Sequence, residues 1–127
     1  MIKLKDLIQE DISMSQLNQV EKHLDKIWAK VGIDVEFTRH FHDRVNDERN
    51  KKPISPAELI RIYREIYKKY GKPISKLSRG TEILLKDMST DINVPVVLKW
   101  DGKELDMIAK TVMRKKNFKS RTKKYAV

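Results

Sequence analysis

The sequence predicts an α+β fold in which N-terminal helices pack on a C-terminal antiparallel sheet of three to four strands. Three observations carry that expectation. Apolar residues recur at spacings of three and four up to Tyr70, the apolar period falls to two beyond Pro73, and Asp101-Gly102 stands between two alternating runs as a hairpin turn does.

Residues 3 to 12 read as a short helix with Leu4, Leu7, Ile8 and Ile12 on one side, and Ser13-Met14-Ser15 offers N-cap residues for the next. That second helix carries Leu17, Val20, Leu24, Ile27, Trp28 and Val31, with Gly32 at the C′ position that ends it. Ile33 to Phe37 is extended. Thr38 to Val45 follows as a capped helix with a Phe37, Phe41, Val45 stripe, then a polar loop over Asn46 to Lys52. Ser55-Pro56-Ala57-Glu58 is a capping box with proline at N1, opening a helix whose Leu59, Tyr63, Ile66, Tyr67 and Tyr70 share a face before Gly71 and Pro73 stop it. A strand is predicted over Glu82 to Asp87. A two-residue type I′ loop at Asp101-Gly102 pairs Trp100 with Lys103, Leu98 with Leu105 and Val96 with Met107. That register places Val96, Leu98, Trp100, Leu105, Met107, Ala109, Thr111 and Met113 on a core face, and Lys99, Glu104, Asp106, Lys110 and Arg114 on a wet one. The chain divides into an N-terminal helical segment over 1–32, a core over 33–118 and a basic C-terminal arm over 119–127, forming one domain.

A length of 127 residues supports one core and one principal site. The absence of cysteine excludes disulfides, thiolate metal ligands and a cysteine nucleophile, and fits a reducing compartment. The start of the chain lacks a signal-peptide core, and apolar runs such as Val96-Val97-Leu98 are too short to span a bilayer, so a soluble protein without a cleaved leader is expected. The four isolated glycines build no phosphate loop, no serine triad is discernible, and the carboxylates are interleaved with basic residues as solvated pairs.

The net charge of +10 is concentrated late in the chain. Residues 1 to 50 hold 8 basic and 10 acidic side chains, residues 51 to 106 hold 12 and 8, and residues 107 to 127 hold 8 and none. A polyanionic partner follows from this excess, because lysine and arginine on phosphates release counterions. A solubilising tail is the plainer alternative.

The densest reactive cluster is Thr38-Arg39-His40-Phe41-His42-Asp43-Arg44. On a helix His40 and Arg44 lie one turn apart, a pairing suited to phosphodiester chemistry through a titratable imidazole and a guanidinium clamp. The plainer reading makes His40 a half-buried helix residue and Arg44 an ion-pair partner of Asp47 or Glu48. His42 projects about 200° away from His40, so the two share no metal, and neither a metal nor another cofactor is expected. Lys110, Arg114, Lys115, Lys116, Lys119 and Arg121 supply cations for nucleic acid near the end of the chain, with Phe118 and Tyr125 available for stacking. Phe118 folding back on the core beside a loose arm is the alternative.

Thr38-x-His40-x-x-x-Arg44, a further Arg49, the capped helix from Ser55 and a last strand Ile108-Ala109-Lys110-Thr111-Val112 together resemble the small RNase superfamily of barnase, EndoU, colicin nuclease domains and RelE-like toxins. The similarity covers roughly residues 35 to 118 and is nearest to the phage-encoded branch, and Met1-Ile2-Lys3-Leu4-Lys5-Asp6 is similar to the opening of small marine tailed-phage proteins. The resemblance implies metal-independent RNA cleavage, the ribose 2′-OH attacking the adjacent phosphate. His40 would be the general acid or base, Arg44 and Arg49 phosphate ligands, and Thr111 with Lys110 or Arg114 the contribution of the last strand. It departs from the family in that Thr111 falls on the opposite face from Lys110 and Arg114, and in an Arg44-to-Arg49 spacing one residue longer. The implied partners are nucleic acid, RNA favoured, with no membrane, and the host translation machinery or a virion. The implied location is the cytoplasm of an infected bacterial host or the particle itself. The alternative function is a non-enzymatic virion component or a basic nucleic-acid-binding accessory protein. An open, polar sheet face toward His40 favours the enzyme, whereas a face plugged by Met107, Trp100 and the tyrosines favours binding.

Overall fold

Ser13 opens helix α1 (Met14–Trp28) by reciprocal capping: its hydroxyl accepts from the Gln16 N–H at 3.1 Å, and Gln16 Oε1 accepts from the Ser13 N–H at 2.9 Å. The computed structural model describes residues 11–50 and 52–127. The helix expected over 3 to 12 lies almost wholly outside that range, and Asp11 and Ile12 at its end are not helical. Helix α1 buries Leu17, Val20, Leu24 and Trp28, and a 3₁₀ turn over Ala29–Val31 leads to Gly32, whose φ of 75° is the left-handed stop the sequence predicts. Strand β1 (Ile33–Phe37) and helix α2 (Arg39–Val45), capped by the Thr38 hydroxyl, follow as expected.

Helix α3 (Pro56–Ser75) starts at the Ser55/Glu58 capping box but does not stop where predicted. It runs through Gly71 and Pro73, because Ile74 in the next turn is fully buried and Leu77 packs on the same core. A proline in the last turn forfeits only one intrahelical donor, and that burial outweighs it.

The sheet is larger than the sequence indicates. Strands β2 (Glu82–Asp87), β3 (Ile92–Trp100), β4 (Leu105–Ala109), β5 (Met113–Arg114) and β6 (Lys123–Ala126) join β1 in one six-stranded sheet of order β1-β4-β3-β2-β6, with β5 paired to β3. It is mixed rather than antiparallel, since β1 lies parallel to β4 at one edge and β6 parallel to β2 at the other. Residues 119–127 are therefore no loose arm: β6 is built into the sheet and Tyr125 is 3% exposed.

The β3–β4 connection also differs. Trp100 pairs with Leu105, Leu98 with Met107 and Val96 with Ala109, so four residues form the loop instead of two. The Asp101 carboxylate accepts from the N–H groups of Lys103 and Glu104 at 2.8 and 2.9 Å, and closes the wider turn. Type I′ geometry needs positive φ at both central residues, and only Gly102 has it. The slip of two residues preserves face assignment, so Val96, Leu98, Met107 and Ala109 are buried as predicted. Trp100, however, lies beyond the end of the core and is 50% exposed.

All three helices cover one sheet face, where Met107 and Tyr63 are fully buried and Phe37 stacks on Phe41 at 4.5 Å. That face is plugged. Trp28→Ala should cost roughly 3 to 5 kcal/mol in denaturant unfolding, whereas Trp100→Ala should cost about 1 kcal/mol or less.

The outer edge of β1 is closed by side chains of α1. Asp25 Oδ1 accepts from the Val35 N–H at 2.7 Å and Glu21 Oε2 from the Phe37 N–H at 2.8 Å, two acceptors one helical turn apart serving alternate residues of the strand. Burial, reinforced by nearby Asp34, overrides that backbone bond and pushes Asp25 up to about 7. A carboxyl whose folded pKa is raised contributes stability below its unfolded value near 4, and this is lost as pH climbs toward 7. Asp25→Asn keeps the acceptor and removes the titration. Melting temperatures at pH 5 and pH 8 should therefore converge in this variant relative to the wild type, the gain appearing at pH 8.

Candidate nucleic-acid interface

Phe41 and Val45 turn one face of α2 into the core, which leaves His40 and Arg44 on its outer flank, one turn apart. The Arg44 Nε–H donates to His40 Nε2 at 3.2 Å, so Nε2 is the acceptor nitrogen of that imidazole. Asp47, just past the helix, gathers two guanidinium groups. It lies 3.5 Å from Arg44 and is clasped by Arg49 through Nε and Nη2, the latter at 2.8 Å. Those bonds from Arg49, aided by the Arg44 charge, hold the Asp47 carboxyl at about 2. The ion-pair reading of Arg44 is thus met, and Asp47 also fixes where both arginines sit.

The 3₁₀ turn over Glu48–Asn50 is pinned by Asn50, a buried amide that donates to the carbonyls of Arg44 and Val45 and accepts from the Arg114 N–H at 3.0 Å. Arg114 itself is consumed. Its guanidinium donates to the carbonyls of Lys52, Pro53 and Thr90 and to both oxygens of Glu58, and its side chain is only 12% exposed. Burial works to raise Glu58, but the bonds from Arg114 and Ser55 leave it below the usual glutamate value. The wet-face expectation for Arg114 is therefore corrected: every guanidinium nitrogen is engaged inside the protein, which leaves none free for the nucleic-acid contact expected of it.

Beyond Arg114 the backbone is fastened again. Lys115 N–H donates to the Asp91 carbonyl at 2.9 Å, and the buried Asn93 amide donates to the Lys115 carbonyl at 3.0 Å while accepting from Lys86 Nζ at 2.9 Å. The side chains of Lys115 and Lys116 are left exposed.

Between these two walls runs a groove of about 700 Å³, with Arg44, Asp47, Arg49, Thr111, Lys115 and Lys116 on its sides and Arg114 in its wall. Six of the residues singled out from the sequence thus come together: Arg44, Arg49, Thr111, Arg114, Lys115 and Lys116. The others do not. His40 touches Arg44 from outside the lining, and Lys110 lines a second groove on the sheet face away from the helices, with Lys99 and Thr122. Thr111 borders both grooves. Lys119 and Arg121 are exposed and Phe118 half-buried on the crossover to β6, where none lines either groove.

No protein-family model, curated protein or solved structure matches the chain.

His42 is structural: its Nε2 contacts the Ile12 carbonyl at 2.6 Å, which Asn46 also holds at 2.9 Å. Among the described residues the carboxylates close enough to share a cation are those of Asp34, Glu104 and Asp106, with ligand atoms within 4.8 Å of one another. They stand at the β1–β4 edge and take no part in the groove. Asn50 and Asn93 carry no local sequence signal as site-builders, whereas the i, i+3 spacing of Arg44 and Asp47 signals that pair. Removing a partner from a mostly buried ion pair leaves the other charge stranded. Arg114→Ala should therefore lose about 3 kcal/mol or more in chemical denaturation, while Arg49→Ala, at 77% side-chain exposure, should change stability by about 0.5 kcal/mol or less.

Proposed function

We propose that this protein binds nucleic acid, RNA in preference, by holding backbone phosphates in the groove between α2 and the segment over 111–116. The observation that carries this reading is the convergence there of Arg44 and Arg49 from one segment with Lys115 and Lys116 from another. Asp47 orients the two guanidinium groups toward a common space before any ligand arrives, which lowers the ordering cost of binding. Lys115 and Lys116 supply point charges on a backbone already fixed by Asn93. The preference for RNA comes from the resemblance to small nucleases.

Binding without cleavage is favoured over RNA hydrolysis. His40 Nε2 already accepts from Arg44, and the side of the sheet that the helices cover is filled by Tyr63 and Met107. Fluorescence anisotropy with a short single-stranded RNA tests the groove. Lys115→Ala/Lys116→Ala should weaken binding and lower the slope of log affinity against log salt by about 1.4, two single-strand contacts at about 0.7 each. An unchanged slope places the phosphates elsewhere. The same samples, incubated in EDTA and analysed for a 2′,3′-cyclic phosphate, test cleavage. A product formed by the wild type and lost in His40→Ala would restore the nuclease reading.

A further inference from the structure

Helix α3 carries a second concentration of positive charge. Between residues 61 and 76 the chain places Arg61, Arg64, Lys68, Lys69, Lys72 and Lys76 against one acid, Glu65. At 100° per residue these six cations fall within an arc of about 140°, opposite the stripe of Leu59, Ile62, Tyr63 and Ile66 that faces the core. Arg61 is neutralised by Asp87 and Glu65. Among the described residues Arg64, Lys68, Lys72 and Lys76 form no ion pair, and all four are exposed.

The place of this stripe relative to the groove gives it meaning. Arg114, in the groove wall, donates to Glu58 in the first turn of α3 and to the Thr90 carbonyl. One turn along α3, Arg61 holds Asp87, whose carboxylate also accepts from the Thr90 hydroxyl. Groove wall and helix therefore meet at the β2–β3 turn. Arg64 lies about 9 Å along the axis from Glu58, and Lys68, Lys72 and Lys76 follow at intervals of about 6 Å.

We infer that the groove and the exposed face of α3 form one continuous phosphate track for a single-stranded nucleic acid, entering at Lys115 and Lys116 and running along Arg64, Lys68, Lys72 and Lys76. This rests on the proposed role of the groove. A single strand is the occupant because it can follow sites on different elements, a groove and then a helix face, whereas a duplex with a persistence length of about 150 bp bends between them only at a large deformation energy.

The test compares oligonucleotides of one base composition at 4, 8, 12 and 16 nucleotides, with a 12-bp duplex, against three proteins: wild type, Arg64→Gln/Lys68→Gln/Lys72→Gln, and Lys115→Ala/Lys116→Ala. Circular dichroism verifies that the helix variant remains folded. Wild-type affinity should rise at least tenfold from the 4-mer to the 12-mer. The helix variant should bind the 4-mer like wild type, lose that gain, and show a salt slope on the 12-mer lower by about 2. The groove variant should be impaired on both lengths. A helix variant that binds the 12-mer like wild type overturns the track and leaves the groove reading intact. A groove variant that binds every length like wild type overturns the groove reading instead. Duplex binding equal to the 12-mer, with the same dependence on α3, overturns the single-stranded occupant.

Discussion

The guanidinium of Arg114 is the contact on which the architecture of this protein turns. It reaches the carbonyls of Lys52 and Pro53, the Thr90 carbonyl in the β2–β3 turn and the Glu58 carboxylate in the first turn of α3, while its own backbone N–H is held by Asn50. Three other stretches of chain, over 50–53, at Glu58 and at Thr90, thus meet on this one residue. Arginine suits the task because its planar fork presents five donors in fixed directions and stays charged at any pH the fold survives. Glu58 serves twice: one carboxylate completes the capping box with Ser55 and receives Arg114, so the start of α3 and the position of β5 are set together. The groove inherits its shape from this junction.

Buried polar side chains do comparable work around the sheet. Lys86 and Asn93 face each other across β2 and β3, and Asn93 spends its amide on the carbonyls of Asp91 and Lys115. The segment leaving β5 is thereby tied to the sheet, although β5 itself is only two residues long. At the β1 edge Glu21 and Asp25 give the free N–H groups of that strand acceptors that a neighbouring strand would otherwise supply. Capping an edge in this way discourages sheet extension by another chain. It also half-buries a carboxylate close to Asp34, and burial first, with that crowding second, raises the pKa of Asp25.

Features encoded within a few residues were legible in the sequence. Ser13, Thr38 and Ser55 cap the helices that follow them, Gly32 ends the turn after α1, and alternation along β3 identifies the buried Val96 and Leu98. What escaped depends on distant partners. Nothing local in Ile33–Phe37 announces a parallel match to Leu105–Ala109, and nothing in Lys123–Ala126 announces β2. The loop after Trp100 departs from the two-residue turn that Asp-Gly allows because a side-chain acceptor on Asp101 competes with it. Within the site, Arg44, Arg49, Lys115 and Lys116 are visible as charge. Arg114, in the same cationic run, is told apart only by its burial against Glu58.

The two parallel pairings govern how the chain reaches this state. Strand β1 waits for β4 across α2, α3 and the first two strands of the meander, and β2 waits for β6 across the whole remainder of the sheet. Closing such distant contacts costs chain entropy before they repay it, and it is topologies of this kind that slow folding. The β2–β3–β4 meander forms from neighbours, and both of its flanks stay unpaired until β1 and β6 dock. A meander whose two flanks both pair with distant segments has two open hydrogen-bonding edges before they dock, and such edges are where a growing sheet is most exposed to misassociation.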